Sequence, residues 1–202
     1  TADGMNLTVT LETAPGVWWT FNLAKKPVSP FVGNWKLDGE GAAGVGPNAG
    51  SVGQWYSSST SDVTTRSCFF DDLFIFGEDG SFIQELGSQT WIEKWQGASA
   101  DGGECGLPVA PHNGSNTDAT YVVSDENLII NGRGAHLGLA KVTNQGEDGV
   151  EVGDSIVYTV TFSGDDNGLS NTGIFGLSNQ YISSILTFTK RNSDETKTSG
   201  KS

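Results

Sequence analysis

The sequence is poor in several features that would point to common protein classes. Lys and Arg together number only 11 against 24 Asp and Glu, which gives a formal net charge of -13. Such a chain repels polyanions, so nucleic acids and anionic membranes are excluded as partners. No run of about 18 apolar residues is present, so no transmembrane helix is predicted. The acidic balance remains compatible with neutral sugars and with cations.

Cysteine is also scarce, since the chain contains only Cys68 and Cys105. Neither has a His or Cys neighbour, so the spacing fits no zinc-binding pattern. The pair predicts one disulfide, and the alternative is two buried free thiols. A disulfide indicates an oxidising compartment. We therefore expect a protein that folds outside the cytoplasm.

Convincing amphipathic helices are absent, whereas alternating strand patterns recur along the chain. Residues 5–23 alternate on both sides of an Ala14-Pro15-Gly16 turn and predict a hairpin. A second hairpin is predicted over 69–86, where Glu78-Asp79-Gly80 is a typical tight turn. Further strands are predicted over 120–131, 156–162 and 182–190. The predicted fold class is all-β, an antiparallel β-sandwich or lipocalin-like barrel with long Gly-rich loops, of which residues 38–54 form the longest.

The layout of the first 26 residues returns at the end of the chain. Residues 2–26 and 166–191 both contain an Asp/Asn-rich turn, a strand, a gap and a strand ending in a basic residue. We therefore divide the chain into an N-terminal hairpin (1–26) resembling the end of a preceding repeat, a linker (27–30), a main β module (31–191) and a polar tail (192–202). The hairpin either packs into the same core or donates its strands to a neighbouring subunit. The predicted assembly residues are Met5, Leu7, Val9, Leu11, Val17, Trp19, Phe21 and Leu23.

Several motifs in the main module resemble a known family. They are GNWKL (33–37), the loop AAGVGPNAGSVGQW (42–55), DVTTRSCFFDD (62–72), LGSQTWIEKWQG (86–97), CGLPVAPHNGS (105–115) and GAHLGLAKVTNQGE (134–147). Together they resemble a tandem β-sandwich accessory module of secreted marine bacterial (Bacteroidota-type) proteins associated with family-16 glycoside hydrolases. The resemblance implies a secreted protein, located extracellularly or on a bacterial cell surface, with an accessory role near polysaccharide, and it brings no catalytic residue.

The acidic residues do not form a recognisable catalytic pattern. A family-16 hydrolase needs two carboxylates across the scissile bond, usually as E-x-D-x-x-E on one strand, and no such string occurs. Adjacent Asp71 and Asp72 point to opposite faces of a strand and cannot act as a pair. We predict that the protein is not an enzyme. Asp71 and Asp72 also offer hard oxygen ligands suited to Ca²⁺, and the alternative is that they are solvated turn residues; no other cofactor is predicted.

The aromatic residues give the main functional hint. Sugar rings present C–H faces that stack on Trp and Tyr, while Trp35 is expected in the core. The predicted carbohydrate-binding residues are Trp55, Tyr56, Trp91, Glu93, Trp95, Gln96 and His112. The first functional hypothesis is a non-catalytic module that binds a neutral, β-glucan-like polysaccharide. The second is a structural subunit of an extracellular filament or tandem array that assembles with copies of itself by N-terminal strand donation.

Overall fold

The computed structural model describes residues 6–24, 29–48, 51–124, 127–144, 151–164, 171–178 and 183–191. The chain divides into two compact units, Thr1–Val32 and Gly33–Ser202. Each unit is described by itself below. The predicted linker (27–30) is described only in part, and the predicted tail (192–202) lies outside the described residues.

The first unit contains the predicted N-terminal hairpin. Strand β1 spans Asn6–Ala14 and β2 spans Val17–Ala24, and the two pair antiparallel. Gly16 adopts a φ of +76° in the turn, a conformation that glycine reaches without strain. Met5, predicted as the first assembly residue, lies outside the described residues.

The second unit is built from short strands with two short helices. The helices are α1 (Thr60–Thr65) and α2 (Ser67–Phe70), and 3-10 turns cover Lys94–Gln96 and Ala140–Asn144. The strands are β3 (Gly33–Leu37), β4 (Ala43–Gly46), β5 (Tyr56–Ser57), β6 (Leu73–Phe76), β7 (Phe82–Glu85), β8 (Thr90–Ile92), β9 (Glu104–Gly106), β10 (Thr120–Ser124), β11 (Asn127–Asn131), β12 (Ser155–Gly164), β13 (Asn171–Ser178) and β14 (Ser183–Arg191).

The main sheet follows the order β10-β11-β12-β13-β14-β3-β6-β7, and all its pairs are antiparallel. Its two end strands meet at one isolated bridge between Ser81 and Thr120. There the Phe82 N–H donates to Ala119 O at 2.9 Å. In the described part of the chain this contact does not extend into a ladder, so the sheet is not a closed barrel. The all-β prediction is confirmed.

The core lies on one face of this sheet. Trp35 has no solvent exposure, as expected, and Phe74, Phe76 and Phe82 are buried with it. The ammonium of Lys190 lies 6.0 Å from the Trp35 ring centroid, so the first and last strands of this unit meet at a cation–π contact. The buried Tyr158 hydroxyl accepts a hydrogen bond from the Leu137 N–H at 2.9 Å.

Two predicted segments differ from the structure. The apolar run 69–76 was expected to be one strand, but Phe69 and Phe70 lie in α2 and only Leu73–Phe76 is a strand. The helical conformation begins upstream, where Ser59 and Asp62 form the capping box of α1, and it continues through Arg66 into α2, where the Phe70 N–H donates to Arg66 O at 3.3 Å. The Gly-rich loop 38–54 contains β4, which pairs with β14. No helix in the described ranges is long and apolar enough to span a membrane.

Candidate functional site

Trp55 is the most exposed predicted sugar-binding residue. Its side chain is 58% exposed, and its backbone N–H donates to Val45 O at 3.1 Å, which anchors it beside β4. Tyr56 follows in β5, where it pairs with Val45 and is half-buried. The predicted pair of neighbouring aromatic residues is therefore presented at the end of the Gly-rich loop.

Arg66 connects Tyr56 to Trp91. The guanidinium carbon of Arg66 lies 5.0 Å from the centroid of the Tyr56 ring and 4.4 Å from that of the Trp91 ring. Both distances are within the range of cation–π attraction, so the guanidinium holds the two rings in one stack. Asp62, one helical turn before Arg66, lies 3.6 Å from Arg66 Nε through Oδ1. We call Trp55, Tyr56, Asp62, Arg66 and Trp91 the aromatic strip.

Protonation states within the aromatic strip follow from its hydrogen bonds. The Ser59 hydroxyl and backbone N–H both hydrogen-bond to Asp62 and hold the pKa of its carboxyl below the usual range, and Arg66 adds to this effect. Burial raises the pKa of the Tyr56 phenol, which Arg66 partly opposes. At neutral pH the strip therefore presents a carboxylate acceptor, a guanidinium donor and a neutral phenol.

Strand β9 and the disulfide hold Trp91 in place. It pairs in register with Cys105, whose sulfur is bonded to Cys68 with a Cα–Cα distance of 5.9 Å. The predicted disulfide is thereby confirmed. Gly103 packs close to the indole, because a Cβ there would come within 2.7 Å of Trp91 Nε1. The half-buried indole is thus held in one orientation by its neighbours.

The remaining predicted sugar-binding residues form a second group, the Trp95 cluster, consisting of Glu93, Trp95, Gln96 and His112. Glu93 accepts hydrogen bonds from Trp95 Nε1 at 3.1 Å and from Lys141 Nζ at 2.7 Å. Gln96 Oε1 accepts from the Glu93 N–H and closes a capping box on the 3-10 turn. These polar groups are occupied by partners within the protein.

His112 is buried in the Trp95 cluster. Its ring lies edge-on to Trp95 at 5.5 Å between centroids, and its Nε2 is 2.7 Å from Thr143 Oγ1. Burial lowers the pKa of His112, and the nearby Arg133 lowers it further. A neutral, enclosed imidazole supports the position of Trp95 from inside the protein.

Asp71 and Asp72 differ in exposure, but the prediction that they lie in a strand is wrong, because Asp71 is the C-cap of α2 and β6 begins only at Leu73. Asp71 is exposed and Asp72 is 2% exposed, so Asp72 is out of reach of a surface substrate. Within the described ranges, no three His, Cys, Asp or Glu side chains come together as a metal-binding group. Calcium binding by Asp71 and Asp72 remains an untested prediction.

The predicted assembly residues lie together on the N-terminal hairpin. The register pairs Leu7 with Leu23, Val9 with Phe21 and Leu11 with Trp19, which places them on one face. Trp18 pairs with Glu12 and lies on the other face. Within residues 7–24 every residue is exposed.

Arg66 was missed at the sequence level. Its position depends on rings from two distant segments, and no periodic pattern marks it. The local signal that was present is Ser59-x-x-Asp62, a helix-start pattern that places Arg66 one turn after Asp62.

No protein family, curated protein or solved structure matches the chain in sequence or in fold.

Proposed function

We propose that this protein is a non-catalytic extracellular module that binds a neutral polysaccharide, of the β-glucan kind, along the aromatic strip. The observation that carries the proposal is the stack of Tyr56, Arg66 and Trp91, with the exposed Trp55 directly before Tyr56 in the chain. Rigid aromatic rings next to a few ordered polar groups are the composition of sites that bind uncharged ligands.

The chemistry of the strip suits sugar rings. The C–H face of a pyranose packs on an indole, and this contact needs no charge on the ligand. The Arg66 fork and the Asp62 carboxylate supply donors and an acceptor for sugar hydroxyl groups at the edge of the stack. Since Arg66 is already held between two rings, little side-chain entropy is lost when a ligand arrives.

Charge and compartment support a neutral extracellular ligand. The net charge of -13 disfavours acidic polysaccharides, because they would be repelled by the protein surface. The disulfide between Cys68 and Cys105 fits an oxidising location outside the cytoplasm.

The Trp95 cluster has a supporting role in this proposal. Both Glu93 carboxylate oxygens, Gln96 Oε1 and His112 Nε2 already have hydrogen-bond partners within the protein, so these residues hold the segment after β8 in place. Direct sugar contact then falls to Trp55, Tyr56 and Trp91, with Asp62 and Arg66 as the polar partners.

Affinity electrophoresis of the full chain in gels containing laminarin and other neutral glucans tests the proposal. We expect retardation on at least one glucan. Trp55→Ala should weaken binding about tenfold or more, as for a central aromatic contact residue. Arg66→Lys should also weaken binding, because a lysine keeps the charge but not the planar stack.

The matched control is Trp18→Ala, since Trp18 is 60% exposed and Trp55 is 58% exposed. Trp18 lies on the hairpin, outside the strip, and its loss should leave retardation unchanged. Equal effects of Trp18→Ala and Trp55→Ala, or mobility unaffected by every glucan in the panel, would refute the proposed site. Release of reducing sugar by the purified chain would refute the non-catalytic part.

A further inference from the structure

The N-terminal hairpin presents an apolar face that nothing covers in the described residues. Its seven large apolar side chains are each between 41% and 59% exposed. They are Leu7, Val9, Leu11, Val17, Trp19, Phe21 and Leu23. A contiguous apolar surface of this kind marks an interaction site, and an isolated two-stranded hairpin is only marginally stable in water.

On the opposite face of the hairpin, polar side chains pair with each other across the two strands. The Thr8 hydroxyl donates to Asn22 Oδ1 at 2.9 Å, and the Thr10 and Thr20 hydroxyl oxygens lie 3.5 Å apart. Trp18 is also on this face. The hairpin is therefore amphipathic, with polar cross-strand pairs on one face and exposed apolar side chains on the other. A strand pair at the surface of a β-module has the same pattern.

The hairpin β13–β14 is also an antiparallel strand pair, and aligning the basic ends of the two sequence segments, Lys25-Lys26 with Lys190-Arg191, shows where such a strand pair belongs. In β1–β2, Val9 pairs with Phe21 and Leu7 with Leu23; in β13–β14, Phe175 pairs with Leu186 and Gly173 with Phe188. These equivalences place Phe21 at the position of Leu186, and Leu23 at the position of Phe188.

We call the gap between β12 and β3, which β13–β14 fills, the seat, and the strands on its two sides define what fits there. Leu186 pairs with Ala43 and Phe188 with Leu37, while Phe175 pairs with Val160 on the other side. Ala43, Leu37 and Val160 are all buried. The apolar residues of β1–β2 thus correspond to residues of β13–β14 that pair with buried core residues in the strands on either side.

In this chain the seat is occupied, because β13–β14 already lies between β12 and β3. We propose that β1–β2 is the closing hairpin of another module of this same fold that lacks its own, and that it enters between the strands equivalent to β12 and β3. The partner is therefore a β-module with the layout of residues 33–164, and the hairpin completes the sheet of that module.

The charge of the hairpin favours this partner. Residues 6–24 carry Glu12 as their only charged side chain, whereas the whole chain has a net charge of -13. Glu12 lies beside the turn, where its carboxylate accepts from the Gly16 N–H at 2.9 Å. A nearly uncharged strand pair enters an acidic module without like-charge repulsion.

A two-module chain tests the proposal. Residues 31–166 are joined ahead of Thr1 of the intact protein, which gives the hairpin a partner with an empty seat and a connection one residue longer than that between β12 and β13. We expect amide hydrogen exchange across residues 6–24 to slow at least about 100-fold relative to the single chain. The matched control carries residues 31–191 ahead of Thr1, so that its seat is filled, and there exchange of the hairpin should stay fast.

Cysteine pairs test the register. Ala24 is equivalent to Thr189, which pairs with Lys36, so Ala24→Cys should form a disulfide with Lys36→Cys in the leading copy. Ala24→Cys with Asn34→Cys, shifted by two residues, should not. Fast exchange of the hairpin in both chains, cross-linking in both registers, or a leading copy that folds only with its own β13–β14 would each overturn the proposal.

Discussion

At the scale of single residues, Asp72 has the most unusual environment. The Thr90 hydroxyl donates to Asp72 Oδ2 at 2.7 Å, while Oδ1 has no hydrogen-bond partner in the described part of the chain. Burial raises the pKa of Asp72 to about 8. The hydrogen bond from Thr90 lowers this pKa in part, and the charge of Asp71 raises it further. Asp72 is therefore mainly protonated at neutral pH, and the protein keeps a neutral acid beside its core.

This environment predicts a pH-dependent stability. A native pKa raised above the unfolded value of 3.8 gives stability that is complete below that value and is lost as the pH rises through about 8. Asp72→Asn has no charge to lose, so it should exceed the wild type in free energy of unfolding at pH 9 by a few kcal/mol, in order of magnitude. Urea unfolding between pH 5 and pH 9 measures the difference.

The matched control for this prediction is Asp71→Asn, because Asp71 is the exposed neighbour in the same chain segment. Its unfolding free energy should still fall between pH 5 and pH 9, as in the wild type, and the fall should be reduced only by the small contribution of the Asp71 charge to the pKa of Asp72. An Asp72→Asn variant with the wild-type pH slope would show that Asp72 is ionised in the native state at neutral pH.

At the scale of elements, Gln84 joins β7 to the loop that follows β11. It is the buried polar residue of β7, and its Oε1 accepts from the His136 N–H at 3.2 Å. Burial lowers the pKa of His136 to about 4, so its imidazole stays neutral beside Gln84. The loop 132–138 therefore depends on one strand side chain for part of its backbone hydrogen bonding.

Gln84→Leu should release this loop. The His136 N–H would lose its acceptor while remaining buried, which costs about 1–3 kcal/mol in free energy of unfolding. Urea unfolding measures that loss, and amide exchange across 132–138 should become faster. Glu85→Leu is the control on the exposed face of the same strand, and its effect should stay within about 0.5 kcal/mol. Equal losses for the two variants would contradict the role given to Gln84.

At the scale of the whole molecule, the two units differ in how they bury apolar surface. The second unit has a core around Trp35, Phe74 and Tyr158, whereas residues 7–24 of the first unit are exposed throughout. Hydrophobic stabilisation scales with the apolar area removed from water. The hairpin thus gains little from that source within this chain.

Deleting residues 1–24 should therefore leave the unfolding free energy of the second unit within about 0.5 kcal/mol of its original value. Near-UV circular dichroism during urea titration reports on the packed aromatic residues of the core. A loss of 2 kcal/mol or more after the deletion would show that the hairpin contributes to the stability of the second unit.

The sequence predicted most strands because their signals are local. Alternation over residues 5–23 and 156–162, together with Asp79-Gly80 at a tight turn, was sufficient for hairpins that the structure confirms. Strand β4 escaped prediction because AGVG has no period of its own, and it becomes a strand through pairing with β14. Helix α1 escaped because six residues carry too little periodicity, even with a capping box.

For the candidate site, the sequence predicted the aromatic residues but not their grouping. Residue type alone marked Trp55, Tyr56 and Trp91 as sugar-stacking candidates. Their connection through Arg66 needs three segments to converge, which no local pattern encodes. Likewise, the burial of His112 and Asp72 follows from packing around them and not from their immediate neighbours.

By itself the sequence determined the all-β class, the main hairpins and the disulfide. Alternation and turn residues act within a few neighbouring positions, and a chain with two cysteines allows only one disulfide. Tertiary structure alone decided that β14 lies between β13 and β3, that Arg66 is held between two rings and that Asp72 is enclosed. These outcomes depend on which distant segments pack together. Packing is a property of the whole set of contacts, so it appears only when the chain is folded.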